Sequence, residues 1–102
     1  MKTKIIVLVP AAGTGTRFGD AVPKQYLDIS GHPLIFHTLL ALTKVSRIDD
    51  ITVVLSPDDN HWQNYQADWT LLGSKVSTVR VGGNSRSLTV VNGLDAIASR
   101  IG

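Results

Sequence analysis

Arg17 and Lys24 are the cations of this sequence whose surroundings suit chemistry best. They follow a run of small residues, Ala11-Ala12-Gly13-Thr14-Gly15-Thr16, which itself follows the apolar segment Ile5 to Pro10. Small residues let backbone N–H groups come close to a polyanion, and an Arg and a Lys neutralise it. A second glycine-bearing stretch, Gly82-Gly83-Asn84-Ser85-Arg86, lies near the other end of the chain, with Thr89 just after it. The first stretch reads as a nucleoside-triphosphate site at the end of a first buried strand.

Two common phosphate-binding fingerprints fit poorly. A dinucleotide fingerprint needs a third glycine where Phe18 stands and a helix at once, but Pro23 intervenes. A Walker loop needs Gly-Lys-Ser/Thr, which does not follow here. His32, His37 and His61 have no ligand spacing to one another. Asp49-Asp50 reads as a solvated pair before a strand, and Asp58-Asp59 as a carboxylate pair at a helix start. Trp62, Tyr65 and Trp69 recur at spacings of three and four, which suits a core stripe better than a base-stacking platform. Arg17 and Lys24 taken singly read as solvated loop cations, and their neighbours favour function. Arg86 divides evenly between pinning its loop and touching a ligand. Thr89 divides between starting a helix and contacting a ligand.

These residues need a frame. Lys4 to Val9 predicts a central strand buried on both faces, ended by Pro10. Residues 11–25 predict a long functional loop. Leu27 to Pro33 predicts a turn into a helix, with Pro33 in its first turn. Leu34, Ile35, Thr38, Leu39, Leu42 and Val45 predict that helix and its apolar stripe. Ile51–Leu55 predicts a second strand, His61–Leu72 a helix stopped by Gly73, and Val76–Val81 a third strand. Ser87–Ile101 predicts a third helix with Leu88, Val91, Leu94, Ala98 and Ile101 on its packing side. The order β-α-β-α-β-α implies an α/β fold with a parallel sheet. Both glycine-bearing loops then open at the carboxyl edge of that sheet, where such folds bind ligands.

Composition bounds the rest. The chain has 102 residues, enough for one small domain, and 43% of them are hydrophobic. Ten Lys and Arg against eight Asp and Glu leave a net charge of +2, without the clustered basic face of a nucleic-acid or membrane-surface protein. There are no cysteines, which excludes disulfides and thiolate zinc sites and fits a cytoplasmic location. The apolar run near the N-terminus is short and β-branched, so it reads as a strand and not as a secretory h-region.

Pro23-Lys24-Gln25-Tyr26-Leu27, joined with Ala-Ala-Gly-x-Gly-x-Arg and Gly82-Gly83-x-x-Arg86-x-x-Thr89-Val90-x-x-Gly93-Leu94, resembles the 2-C-methyl-D-erythritol 4-phosphate cytidylyltransferase family. The resemblance implies a three-layer α/β/α Rossmann-like nucleotidyltransferase fold, incomplete in this chain. It implies formation of 4-diphosphocytidyl-2-C-methyl-D-erythritol and pyrophosphate from CTP and 2-C-methyl-D-erythritol 4-phosphate, a step of non-mevalonate isoprenoid synthesis. Arg17 and Lys24 match the family's transition-state stabilisers. Pro10, Ala11, Ala12, Gly13, Thr14 and Gly15 would hold phosphate and ribose. Gly82, Gly83, Asn84, Arg86 and Thr89 would complete the CTP site. Thr89 replaces the family's usual Ser and keeps the hydroxyl, and Thr16 stands where some members have a second base. A magnesium ligand, in an Asp-Ala-Ala-Arg motif, and a dimer-forming arm are expected beyond Gly102, so the chain is expected to be an N-terminal portion without a complete active site. The alternatives are a ribitol-5-phosphate cytidylyltransferase and a non-catalytic nucleotide-binding module. The portion alone is expected to be marginally stable, because its sheet ends on an uncovered edge.

Overall fold

The computed structural model describes residues 3–12 and 23–101. Among them a three-stranded parallel sheet runs in the order β1 (Ile6–Ala11), β4 (Asp50–Leu55), β5 (Val76–Val79). Ile6 to Ala11 face Asp50 to Leu55 residue for residue, and Ile51 to Val54 face Val76 to Val79. β4 is therefore the central strand, and Ile51 through Leu55 are fully buried. β1 pairs on one side only among the described residues, and most of it is half-buried, contrary to the central position its apolar run predicts. Single-sided pairing also explains why β1 continues through Pro10 to Ala11: a proline lacking its N–H is tolerated on an edge strand.

Alternation along β4 divides the core into two layers. Ile51, Val53 and Leu55 pack with Ile35, Phe36 and Leu39 of α1 (Leu34–Thr43), and with Trp62, Trp69 and Leu72. Phe36 packs inward, while Leu34 and Val45 of the expected stripe remain exposed and the helix ends at Thr43. The second helical segment is split. A 3-10 turn over Trp62–Tyr65 passes into α2 (Gln66–Thr70), with Tyr65 at φ −120° marking the break. Trp62 and Trp69 stack at 3.9 Å, and the Trp69 indole N–H donates to the Trp62 carbonyl at 2.7 Å.

α3 (Arg86–Ile101) lies on the opposite face, over Leu8 and Val54. Its buried residues are Thr89, Gly93 and Ile97, spaced by four, whereas Leu88, Val91 and Leu94 are about half exposed. The expected packing side thus points outward in its first turns, and the side chain of Ile101 lies outside the described residues. Gly93 explains the inversion. A Cβ there would come within 2.6 Å of the Val54 side chain and 2.8 Å of Leu8, so helix and sheet touch through glycine. At its C-terminal end, Arg100 donates to the hydroxyl of buried Thr52 at 3.0 Å.

Between β1 and α1 the expected simple turn is a hairpin, β2 (Asp28–Ile29) with β3 (His32–Pro33). Ser30 and Gly31 form its tip, both at positive φ as a type I′ turn requires. Pro33 sits at the N-cap of α1, one place before the first helical residue. No helix among the described residues is long and apolar enough to cross a membrane.

Candidate functional site

At the carboxyl edge of the sheet, three chain segments surround a cavity of about 490 Å³. Pro10 of β1 and Ala12 just past its end form the first wall, the exit of β4 contributes Ser56, Pro57 and Asp58, and residues 82–86 contribute the third wall with Thr89 behind them. Seven of the expected CTP residues meet here: Pro10, Ala12, Gly82, Gly83, Asn84, Arg86 and Thr89. Ala11 points the other way, into the core shared with α1. Gly13, Thr14, Gly15 and Arg17 lie outside the described residues.

Gly82 lets the first and third walls close. Its N–H donates to the Leu55 carbonyl at 2.9 Å, and a Cβ there would collide with Ala12 and come within 2.9 Å of that carbonyl oxygen. Thr89 is buried, and its hydroxyl is engaged with the loop. It accepts from the Gly83 N–H at 3.1 Å and reaches the Gly83 carbonyl at 3.4 Å. Asn92 adds a tie, donating to the Val81 carbonyl at 2.8 Å. Thr89 and Asn92, and not Arg86, therefore pin the loop. Arg86 is exposed at the first turn of α3 and has no side-chain partner among the described residues.

Helix initiation belongs to Ser85, whose Oγ accepts from the Leu88 N–H at 3.1 Å, and Thr89 lies a turn further on. The positive end of a 16-residue helix thus opens beside the cavity, together with the Arg86 guanidinium. The cavity wall carries one base, Arg86, and one acid, Asp58, among the described residues. A wall made of small residues, a helix N-terminus and a guanidinium suits a phosphorylated ligand.

Lys24 stands outside that lining, on a 3-10 turn (Lys24–Tyr26), exposed and without a side-chain partner among the described residues. Its two successors are anchored. Gln25 Nε2 donates to the Ala11 carbonyl at 2.9 Å, and the Tyr26 hydroxyl donates to Asp59 Oδ2 at 2.5 Å. Burial, then the hydrogen bond to Asp59 and its charge, push the Tyr26 phenol far above its ordinary value of 10.0.

Ser56, Pro57, Asp58 and Ser85 were not among the expected site residues. The first three follow the central strand, and the rule that places ligands at strand carboxyl ends points to them. The remaining polar pairs are structural. Asp49 accepts from the Ile5 N–H at 2.7 Å, Asp50 pairs with Lys4 at 2.8 Å, and His32 pairs with Asp68. No group of three or more His, Cys, Asp or Glu among the described residues is placed to hold a metal.

A model of the 2-C-methyl-D-erythritol 4-phosphate cytidylyltransferase (IspD) family matches residues 5–101. Among curated proteins, the enzyme of that name from Dechloromonas aromatica is 58% identical over 91 residues, covering 89% of this chain and 39% of the relative. The one from Thiobacillus denitrificans is 45% identical over 95 residues, covering 93% and 40%. A solved 4-diphosphocytidyl-2C-methyl-D-erythritol synthase superposes with a TM-score of 0.75 at 30% identity, over 95% of this chain and 39% of that one. A UDP-glucose pyrophosphorylase complexed with UDP-glucose shares the fold, with a TM-score of 0.57 at 23% identity over 93% and 42%. The chain spans about two-fifths of the length of the curated relatives it matches.

Proposed function

Since this chain belongs to the 2-C-methyl-D-erythritol 4-phosphate cytidylyltransferase family, we propose that it supplies the CTP-binding part of an enzyme joining CTP to 2-C-methyl-D-erythritol 4-phosphate. The observation that carries this reading is the convergence of β1, the β4 exit and the Gly82–Arg86 loop on one cavity beside a helix N-terminus. An oxygen of the acceptor phosphate attacks the α-phosphorus of CTP, a new P–O bond forms, the α–β bridge breaks and pyrophosphate leaves. Charge grows on the non-bridging and leaving oxygens, so cations fixed beside them lower the barrier. Lys24 is proposed as one of these cations and Arg17 as the other. Arg86 and the first turn of α3 would attract the polyphosphate. Gly83, held by Thr89, and its neighbour Asn84 would face the cytosine and ribose.

Magnesium is proposed as cofactor on the family resemblance alone. Asp58 is the one carboxylate on the described cavity wall, and a single carboxylate does not build the site, so no step is assigned to a metal here. A homodimeric, cytoplasmic enzyme is proposed on the same basis.

The test is pyrophosphate release by the full-length enzyme supplied with CTP, magnesium and the methylerythritol phosphate. Turnover is expected, together with a fall of about 10²–10³ in kcat for Lys24→Met. A folded enzyme without turnover refutes the reading. Replacing the acceptor by ribitol 5-phosphate separates the two cytidylyltransferase activities, and turnover of the ribitol substrate alone would reassign the acceptor.

A further inference from the structure

Lys24 hangs from a short turn, and a flexible ammonium on a mobile turn would be a poor transition-state partner. Tyr26 and Asp59 address this directly. Tyr26 is 2% exposed, its ring stacks on Tyr65 at 5.6 Å and lies 5.4 Å from the His61 ring, and its hydroxyl reaches Asp59. Asp59 is itself held from several sides. Its Oδ1 accepts from the N–H groups of His61 at 2.8 Å and Trp62 at 2.9 Å. Its own N–H donates to the Ser56 carbonyl at 3.1 Å, and its carbonyl accepts from Arg80 at 2.7 Å. Ser56 is also a cavity wall residue, so the bond from Tyr26 ends on the segment that walls the cavity at the β4 exit.

We propose that Tyr26 and Asp59 are a positioning pair, which fixes the Lys24 turn to the β4 exit and so aims the ammonium at the triphosphate. Tyr26 is two residues from Lys24, and Gln25 between them is tied to Ala11 at the end of β1. The turn is thereby held to the first wall by one side chain and to the second by the next. The pair acts through Lys24 and touches no substrate. This inference rests on the reading of Lys24 as a cation of the transfer step.

The experiment measures kcat and KM for CTP in the full-length enzyme for Tyr26→Phe, Asp59→Asn, Lys24→Met and the two double variants that include Lys24→Met. Tyr26→Phe keeps the buried ring and removes only the hydroxyl. Asp59→Asn keeps the shape and the Oδ1 acceptor but replaces the charged acceptor of the Tyr26 hydroxyl by an amide donor, so it weakens the tie without removing it and stands in, with the loss at the lower end, if the first variant folds poorly. The expected result is a loss of about 10–100-fold in kcat with KM for CTP little changed. In the Lys24→Met background the same substitutions are expected to cost nothing further. An equal loss with and without Lys24 overturns the proposal, as does a lowered melting temperature with kcat intact. If Lys24→Met alone leaves kcat unchanged, the catalytic reading of Lys24 falls first and the positioning role falls with it.

Discussion

Tyr26 gives a pH signature of its own. Its phenol holds the proton in the folded chain above the pH at which the unfolded chain releases it. A group whose folded pKa is raised contributes stability that is whole below the unfolded value and is lost as the pH climbs past it. Denaturation midpoints of the wild type are therefore expected to fall above pH about 10. Tyr26→Phe is expected to be less stable than the wild type at neutral pH and to show a flatter alkaline limb. Midpoints measured from pH 7 to 11 check this, and parallel alkaline limbs would contradict it. Single residues also show what the sequence disclosed. Gly82 and Gly83 were legible as loop residues by type. The partner of Tyr26 was not, because a bond between residues 33 apart leaves no local pattern.

Elements were readable in proportion to their length and burial. β4 and α1 stand close to their expected places, since an unbroken apolar run and a repeat of three and four are strong signals. β2 and β3 leave no trace in the sequence, because strands of two residues show no alternation. α3 is legible as a helix, but its buried face is not. Hydropathy favours Leu88, Val91 and Leu94 over Thr89 and Gly93, yet close approach to the sheet selects these two smaller residues and carries Ile97, one turn on, inward with them. Gly93→Ala tests that account. Alanine is ordinarily the better helix former, but here overpacking against Leu8 and Val54 is expected to cost about 1–3 kcal/mol. Denaturant titration of the wild type and Gly93→Ala reads the difference, and a neutral or stabilising result would show that the helix can lift away.

At the scale of the molecule, the sequence pointed to two of the three cavity walls. The exit of β4 carries no glycine and no cation to announce it, and it joins the site because β4 is central in the sheet. Identity of 58% to a family member over 89% of the chain agrees with motifs visible in the residues alone. Marginal stability of this chain on its own remains an expectation, which a melt at low concentration checks: a cooperative transition at high temperature would contradict it, despite the one-sided pairing of β1 among the described residues and the bare leucines of α3.

The long third helix is bolted at both extremities, by Thr89 to Gly83 near its start and by Arg100 to the buried hydroxyl of Thr52 near its finish. A beam fixed twice cannot fray from one end without straining the other. Its amide protons are expected to exchange with deuterium as a single block, and Arg100→Ala should convert that block into a gradient, slow near Gly93 and fast toward the last turn.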